Sequence, residues 1–265
     1  LILTYLHRLY FVSNPSTNID AALSTVNALV QGIETNFPTA TRLLPWSLSY
    51  RAFRDTIPLG HQSPSGADGK PRPYAHSYQH LLQLSSLASN RTYVYTQPVA
   101  QQGTVTSIPA RQQDAHANIL KMSALWAPRH TVFVRDAASY SGGLCTIQIG
   151  ELRAVREGAG AGAVSSPGIV VCITTVVGAD NAEDGLDSGY TSMENGTAMD
   201  VDEEEPDFEF ARTIIHDCWS KIKEGRDLGR SEVRDFMMAP VATTRKEHER
   251  EAAVRMWCDA LRMRG

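Results

Sequence analysis

The chain has 265 residues, 42% of them hydrophobic, with 25 Lys and Arg against 29 Asp and Glu for a net charge of −4. That length suits one large domain or two small ones and buries roughly 70–75% of the unfolded surface. Much of the negative charge sits in residues 180–205, so the near-neutral remainder makes no electrostatic case for binding nucleic-acid phosphates. Cys145, Cys172, Cys218 and Cys258 are widely spaced without a C-x-x-C pair, which fits reduced buried thiols better than a disulfide frame or a zinc site. Residues 1–6 are apolar but too few to span a bilayer, and they lack the charged start and cleavage site of a signal peptide. A soluble intracellular protein is expected.

In chain order, residues 9–12 read as a strand stopped by the turn Asn14-Pro15-Ser16. Asn18 is placed to cap a helix in which Ile19, Leu23, Val26, Val30, Ile33 and Phe37 recur at helical spacing. Residues 46–51 alternate apolar and polar as a half-buried strand does. Residues 57–73 are rich in Pro, Gly and Ser and read as a loop. Residues 78–87 and 91–96 form a hairpin-like pair of strands. A second helix spans residues 110–126, with Ala115, Ile119, Met122 and Trp126 on its apolar side.

Three strands follow at residues 131–135, 144–152 and 168–177, the second with Cys145, Ile147 and Ile149 on one face. The Gly-rich stretch 158–166 connects the last two. Helices set among meander-like strands, without regular βαβ alternation, predict an α+β fold with an antiparallel sheet or barrel and flanking helices.

Residues 180–205 are acidic, rich in Gly and Ser, and end in Asp202-Glu203-Glu204-Glu205. Such a stretch buries too little apolar surface to offset its ordering entropy, so a disordered insert is expected. An acidic insert inside one folded unit is common in nuclear regulatory proteins. After it, Ala211, Ile214, Ile215, Cys218, Trp219 and Ile222 form a continuous helical stripe, and residues 245–262 form a heavily charged helix with a less regular apolar pattern.

No motif carries catalytic chemistry. Gly158-Ala159-Gly160-Ala161-Gly162 lacks the Lys-Ser/Thr of a phosphate-binding loop and opens no clear helix. His216-Asp217-Cys218 are adjacent on a helix and point in different directions. His76 and His80 stand four apart on an extended segment, which removes the helical geometry of a metal pair; solvated histidines are the expectation. Arg226, Arg230 and Arg234 make only a small basic stripe, short of the stacking platform that single-stranded nucleic acid needs. No metal or cofactor is expected.

Residues 168–177 are apolar on both phases: Ile169, Val171, Ile173 and Val177 on one, Val170, Cys172 and Val176 on the other. Such a strand needs cover on both faces of its sheet. The chain's own helix around residues 211–222 is one source of cover and a partner protein the other. Val170, Cys172 and Val176 are accordingly the candidate partner-binding residues.

The succession of these segments resembles fungal Mediator complex subunit 20. The resemblance rests on the Leu9-Tyr10-Phe11-Val12 strand with its capped helix, WSLSYRAFR at residues 46–54, LLQLSSL and YVYT within residues 81–96, and ILKMSALWAPRHTVFV at 119–134. LCTIQIGEL, GIVVCITT, the acidic insert and the helix carrying Asp217-Cys218-Trp219 follow in the same order. It covers most of the chain in element order, with no single diagnostic motif. It implies a non-enzymatic, nuclear β-barrel of the triphosphatase-tunnel type in the Mediator head module. Its implied partners are subunit 18, as a heterodimer, and the C-terminal helix of subunit 8, in a bridge between regulators and RNA polymerase II.

An RNA triphosphatase-like hydrolase is the alternative, but the strand at 144–152 offers only Glu151 where a tunnel needs alternating carboxylates. Family members begin near the Tyr-Phe strand, so residues 1–8 are expected to be a tag, a scar or a gene-model artefact, with one barrel domain over residues 9–265.

Overall fold

The structure, a computed structural model, describes residues 4–60, 73–156, 163–177, 208–241 and 246–262. The expected acidic insert 180–205 lies outside the described residues, as does most of the loop 57–73.

The elements run β1 (Thr4–Ser13), α1 (Ile19–Asn36), β2 (Thr41–Leu43), β3 (Leu48–Asp55), β4 (Tyr78–Leu84), α2 (Ser85–Ala88), β5 (Arg91–Gln97), β6 (Thr104–Pro109) and α3 (Gln113–Met122). They continue with β7 (Trp126–Gly142), β8 (Cys145–Arg156), β9 (Val164–Val177), α4 (Phe208–Lys223), β10 (Val233–Met237) and α5 (Lys246–Leu261). The ten strands among the described residues join one antiparallel sheet in the order β10-β1-β9-β8-β7-β3-β4-β5-β6, with β2 paired to β7. The α+β class with an antiparallel sheet and flanking helices is the architecture observed.

The sheet is open, which corrects the expected barrel. Its terminal strands β10 and β6 do not pair with each other. The reason is α5. This helix packs on β1 and β10 from one end of the sheet and on β4, β5 and β6 from the other, so the sheet curves around a helix and its edges stay apart. Polar ties hold α5 along its length. Glu249 accepts from the Tyr5 N–H, Arg255 donates to the Gly103 carbonyl, Arg262 donates to the Gln97 side chain, and the His130 ring lies 3.2 Å from the Leu261 carbonyl oxygen. Ala252, Ala253, Val254, Met256, Trp257, Cys258, Ala260 and Leu261 are all buried. A helix enclosed by one curved sheet buries nearly its whole circumference, so it shows no single stripe.

The outer face of β1, β8 and β9 is covered by α1 and α4. Asn18 caps α1 by accepting from the Asp20 N–H at 3.0 Å. The buried side of α1 is Ala22, Val26, Leu29, Gly32 and Ile33, rotated from the expected stripe so that Leu23 is exposed. At Gly32 the helix meets α4 so closely that a Cβ would stand 2.2 Å from the Ile222 carbonyl oxygen. The α4 stripe packs as its spacing predicts, with Ala211, Ile215, Cys218, Trp219 and Ile222 buried.

The other half of the outer face carries α3. A small cluster of Phe53, Leu81, Val94, Ala117 and Leu120 sits beneath it. Here the expected face is wrong: Ala117 and Leu120 point inward, whereas Ile119 and Met122 are exposed and Trp126 opens β7.

Several boundaries also differ from expectation. Thr4–Arg8 pair with β9 in register and Leu6 is fully buried, so β1 begins before residue 9, where the strand was expected to start. Val164, Ser165 and Ser166 belong to β9 rather than to the connection 158–166. The short strands β6 and β10 replace stretches that carried no strand signal.

Candidate interaction surface

Val170 and Cys172 lie in the core, 0% and 1% exposed, and Val176 is half-buried. The phase chosen for a partner therefore faces the chain's own interior, toward α5, and is withdrawn as a docking surface. The opposite phase, Ile169, Val171 and Ile173, is covered by α4 and α1. Both covers of the doubly apolar strand come from within the chain.

Exposed apolar surface gathers at one corner instead. Ile119, Met122 and Leu125 are 66%, 87% and 69% exposed, on the last turn of α3 and the turn after it. The Thr56 N–H donates to the Leu125 carbonyl at 2.9 Å and its hydroxyl to the Ala124 carbonyl at 2.8 Å. These bonds bring the start of the segment after β3, with exposed Ile57, to the same corner. The helix is apolar on two sides. Ala117 and Leu120 satisfy the sheet, and Ile119 and Met122 are left for something else. The sequence signal for this corner is the pair Ile119 and Met122, which share one side of the expected helix.

The other side chains singled out in the sequence fall into structural roles. His80 is fully buried, contrary to the expected solvation. Its Nδ1 lies 2.8 Å from the Tyr50 hydroxyl, Nε2 lies 3.3 Å from the Gln97 amide oxygen, and its ring stacks on Tyr50, Tyr78 and Tyr95. Burial lowers its pKa to about 4 and raises that of Tyr50 well above the usual phenol value. His76 is held 2.7 Å from the Asp55 carboxylate. Cys218 is buried while His216 and Asp217 are exposed, so these three side chains share no focus.

Glu151 is fully buried and paired with Arg153 at 3.0 Å, and it shares a sheet face with Ile169 rather than with the residues around α5. Where a tunnel would run, α5 lies in the concavity, with Trp257 packed at 5.8 Å on Trp46. Among the described residues no three His, Cys, Asp or Glu side chains gather in metal-holding reach. The small arginine stripe is dispersed: Arg226 donates to the Gln31 side chain on α1, and Arg234 lies over the Phe11 ring. No helix among the described residues is long and apolar enough to cross a membrane.

These features define an α+β protein with an open antiparallel sheet curved around its last helix. No family model and no curated protein matches the chain. Among solved structures it is similar to the PH1819 protein from Pyrococcus horikoshii, at 9% identity and a TM-score of 0.35 over 87% of this chain and 93% of that one, a likeness too remote to carry a functional argument.

Proposed function

We propose that this chain is a non-enzymatic subunit of the Mediator head module, resembling subunit 20, that acts in the nucleus by protein–protein contact. In this reading it pairs with subunit 18, meets the C-terminal helix of subunit 8, and helps the complex bridge transcription regulators and RNA polymerase II. The observation that supports a contact role is the apolar corner formed by Ile57, Ile119, Met122 and Leu125. Leaving four large apolar side chains in water at one place costs solubility, and an exposed apolar patch is the usual mark of a partner site. Covering it would anchor an interface of at least roughly 1,000 Å², the size a specific complex needs.

The reading is tested by co-expressing the chain with subunit 18 and following both by size exclusion. Co-elution of the parent pair, lost on Ile119→Asp with Met122→Glu, is the expected outcome. Separate elution of the two parent chains at micromolar concentration, or metal-dependent phosphate release from RNA 5′-triphosphate by this chain alone, would overturn it.

A further inference from the structure

Between the first turns of α5 and the inner face of β1, β8 and β9 lies a cavity of about 310 Å³. Its apolar wall is formed by Trp257, Leu87 and Tyr5, and its polar lining by Thr146 and Gln148 of β8 with His7 and Thr174 of β1 and β9. The His7 ring is engaged, with Nδ1 2.8 Å from the Thr174 hydroxyl. Burial lowers its pKa to about 4, so it adds no charge at neutral pH. Gln148 is different. It is only 8% exposed and it lines the cavity. Its amide offers both donors and an acceptor to a polar group bound there.

The charges around the cavity have a sign. Lys246 and Arg250, one turn apart on α5, both line it, and Glu249 is the one acid among its described lining residues. Glu249 already accepts the Tyr5 N–H at 2.9 Å, which leaves one positive charge in excess beside an aromatic wall.

We propose that this cavity binds a small organic carboxylate that carries a second hydrogen-bonding group on an apolar or aromatic body. The carboxylate pairs with Lys246 and Arg250, the body packs on Trp257 and Leu87, and the second polar group meets Gln148 and Thr146. The volume is at the small end of ligand pockets, which limits the body to metabolite size. The inference is independent of the partner surface, which lies on the other face of the sheet.

Matched probes read out each part by titration calorimetry on the full chain. 4-Hydroxyphenylacetate carries both groups, phenylacetate lacks the second, and tyramine replaces the carboxylate by an amine; N-acetylphenylalanine supplies a second carboxylate scaffold. The expected order is 4-hydroxyphenylacetate, then phenylacetate, then tyramine, with the first saturating at a Kd near or below about 1 mM. Gln148→Leu should erase the preference for the hydroxyl-bearing acid. Lys246→Glu, at an exposed position that cannot disturb the core, should weaken both acids by about tenfold and favour tyramine, as loss and reversal of an ion pair does. Tyramine binding as well as the acids, or no saturable binding of either carboxylate scaffold up to about 10 mM, some tenfold above the expected Kd, would mean that the cavity holds water only.

Discussion

The Tyr10 ring on β1 stacks on the Trp219 indole on α4, with centroids 4.3 Å apart and planes 12° from parallel. This pair joins the outer helical layer to the strand next to the sheet edge. Burial pushes the Tyr10 phenol up to about 12 and leaves its hydroxyl without a partner among the described residues. Trp219→Ala removes the stack and opens a cavity beneath α4, so it should destabilise the fold by about 3–5 kcal/mol, as large core truncations do. Chemical denaturation of parent and variant measures it. An unchanged midpoint would place Trp219 outside the core.

The close crossing of α1 and α4 gives a second expectation. Alanine is the better helix former by about 1 kcal/mol. At Gly32, however, its Cβ would stand 2.2 Å from the Ile222 carbonyl oxygen, and backbone on both sides must move. Overpacking costs about 1–3 kcal/mol and outweighs the propensity gain. Gly32→Ala should therefore lower the thermal midpoint by several degrees, and a rise would contradict the packing described.

Stability should fall in mild acid. His80 is neutral in the fold with its pKa lowered to about 4, while the unfolded chain protonates the same ring near 6.5. Above pH 6.5 neither state is charged there, and stability is fully retained. As pH falls toward 4 the unfolded state takes the proton first, which costs the fold roughly 3 kcal/mol from this group alone. Lower down, the folded state titrates too and the loss levels off. His80→Phe keeps a ring in the tyrosine cluster and removes the titration. Its denaturation midpoint should change less between pH 7 and 4.5 than that of the parent, and equal slopes would exclude His80 as the source.

The cysteines offer a labelling test. All four are free and buried, and burial pushes the Cys172 thiol up to about 12 and that of Cys258 well above its usual value. A thiol disulfide reagent needs the thiolate, so Cys172 and Cys258 should react slowly in the native protein at pH 7.5, Cys145, whose thiol the contact with Cys218 lowers, should react first, and the denatured protein should release four equivalents. Cys172 faces the α5 cavity, so fast native labelling at that residue would show that the cavity opens to solvent and ionises the thiol.

Much of the fold could be read from apolar spacing, and the exceptions have physical causes. The α4 stripe was legible because one side of that helix meets the sheet and the other meets water. In α3 two apolar sides compete, and spacing does not say that Ala117 and Leu120, rather than Ile119 and Met122, meet the sheet. Edge strand β10 reads Val233-Arg234-Asp235-Phe236-Met237, with charges where a buried strand would be apolar, because β1 pairs with it on one side only. The open sheet was hidden for a similar reason. Alternation along a strand gives its faces but not whether the first and last strands meet, and here α5 holds them apart. The doubly apolar β9 correctly signalled cover on both faces, but both covers come from this chain, so Val170, Cys172 and Val176 could not mark a partner.

The corner of Ile119 and Met122 carries the central claim, and a titration of this chain into purified subunit 18 tests it most directly. The account predicts saturable one-to-one binding for the parent and a loss of at least about 100-fold in affinity for Ile119→Asp with Met122→Glu, since charging the centre of an apolar patch costs about 3 kcal/mol or more. Both side chains are exposed in the free chain, so the thermal midpoint of the double variant should stay within about 2 °C of the parent, the range of surface substitutions. Parent-like affinity in the double variant, or no binding by the parent, would contradict the account.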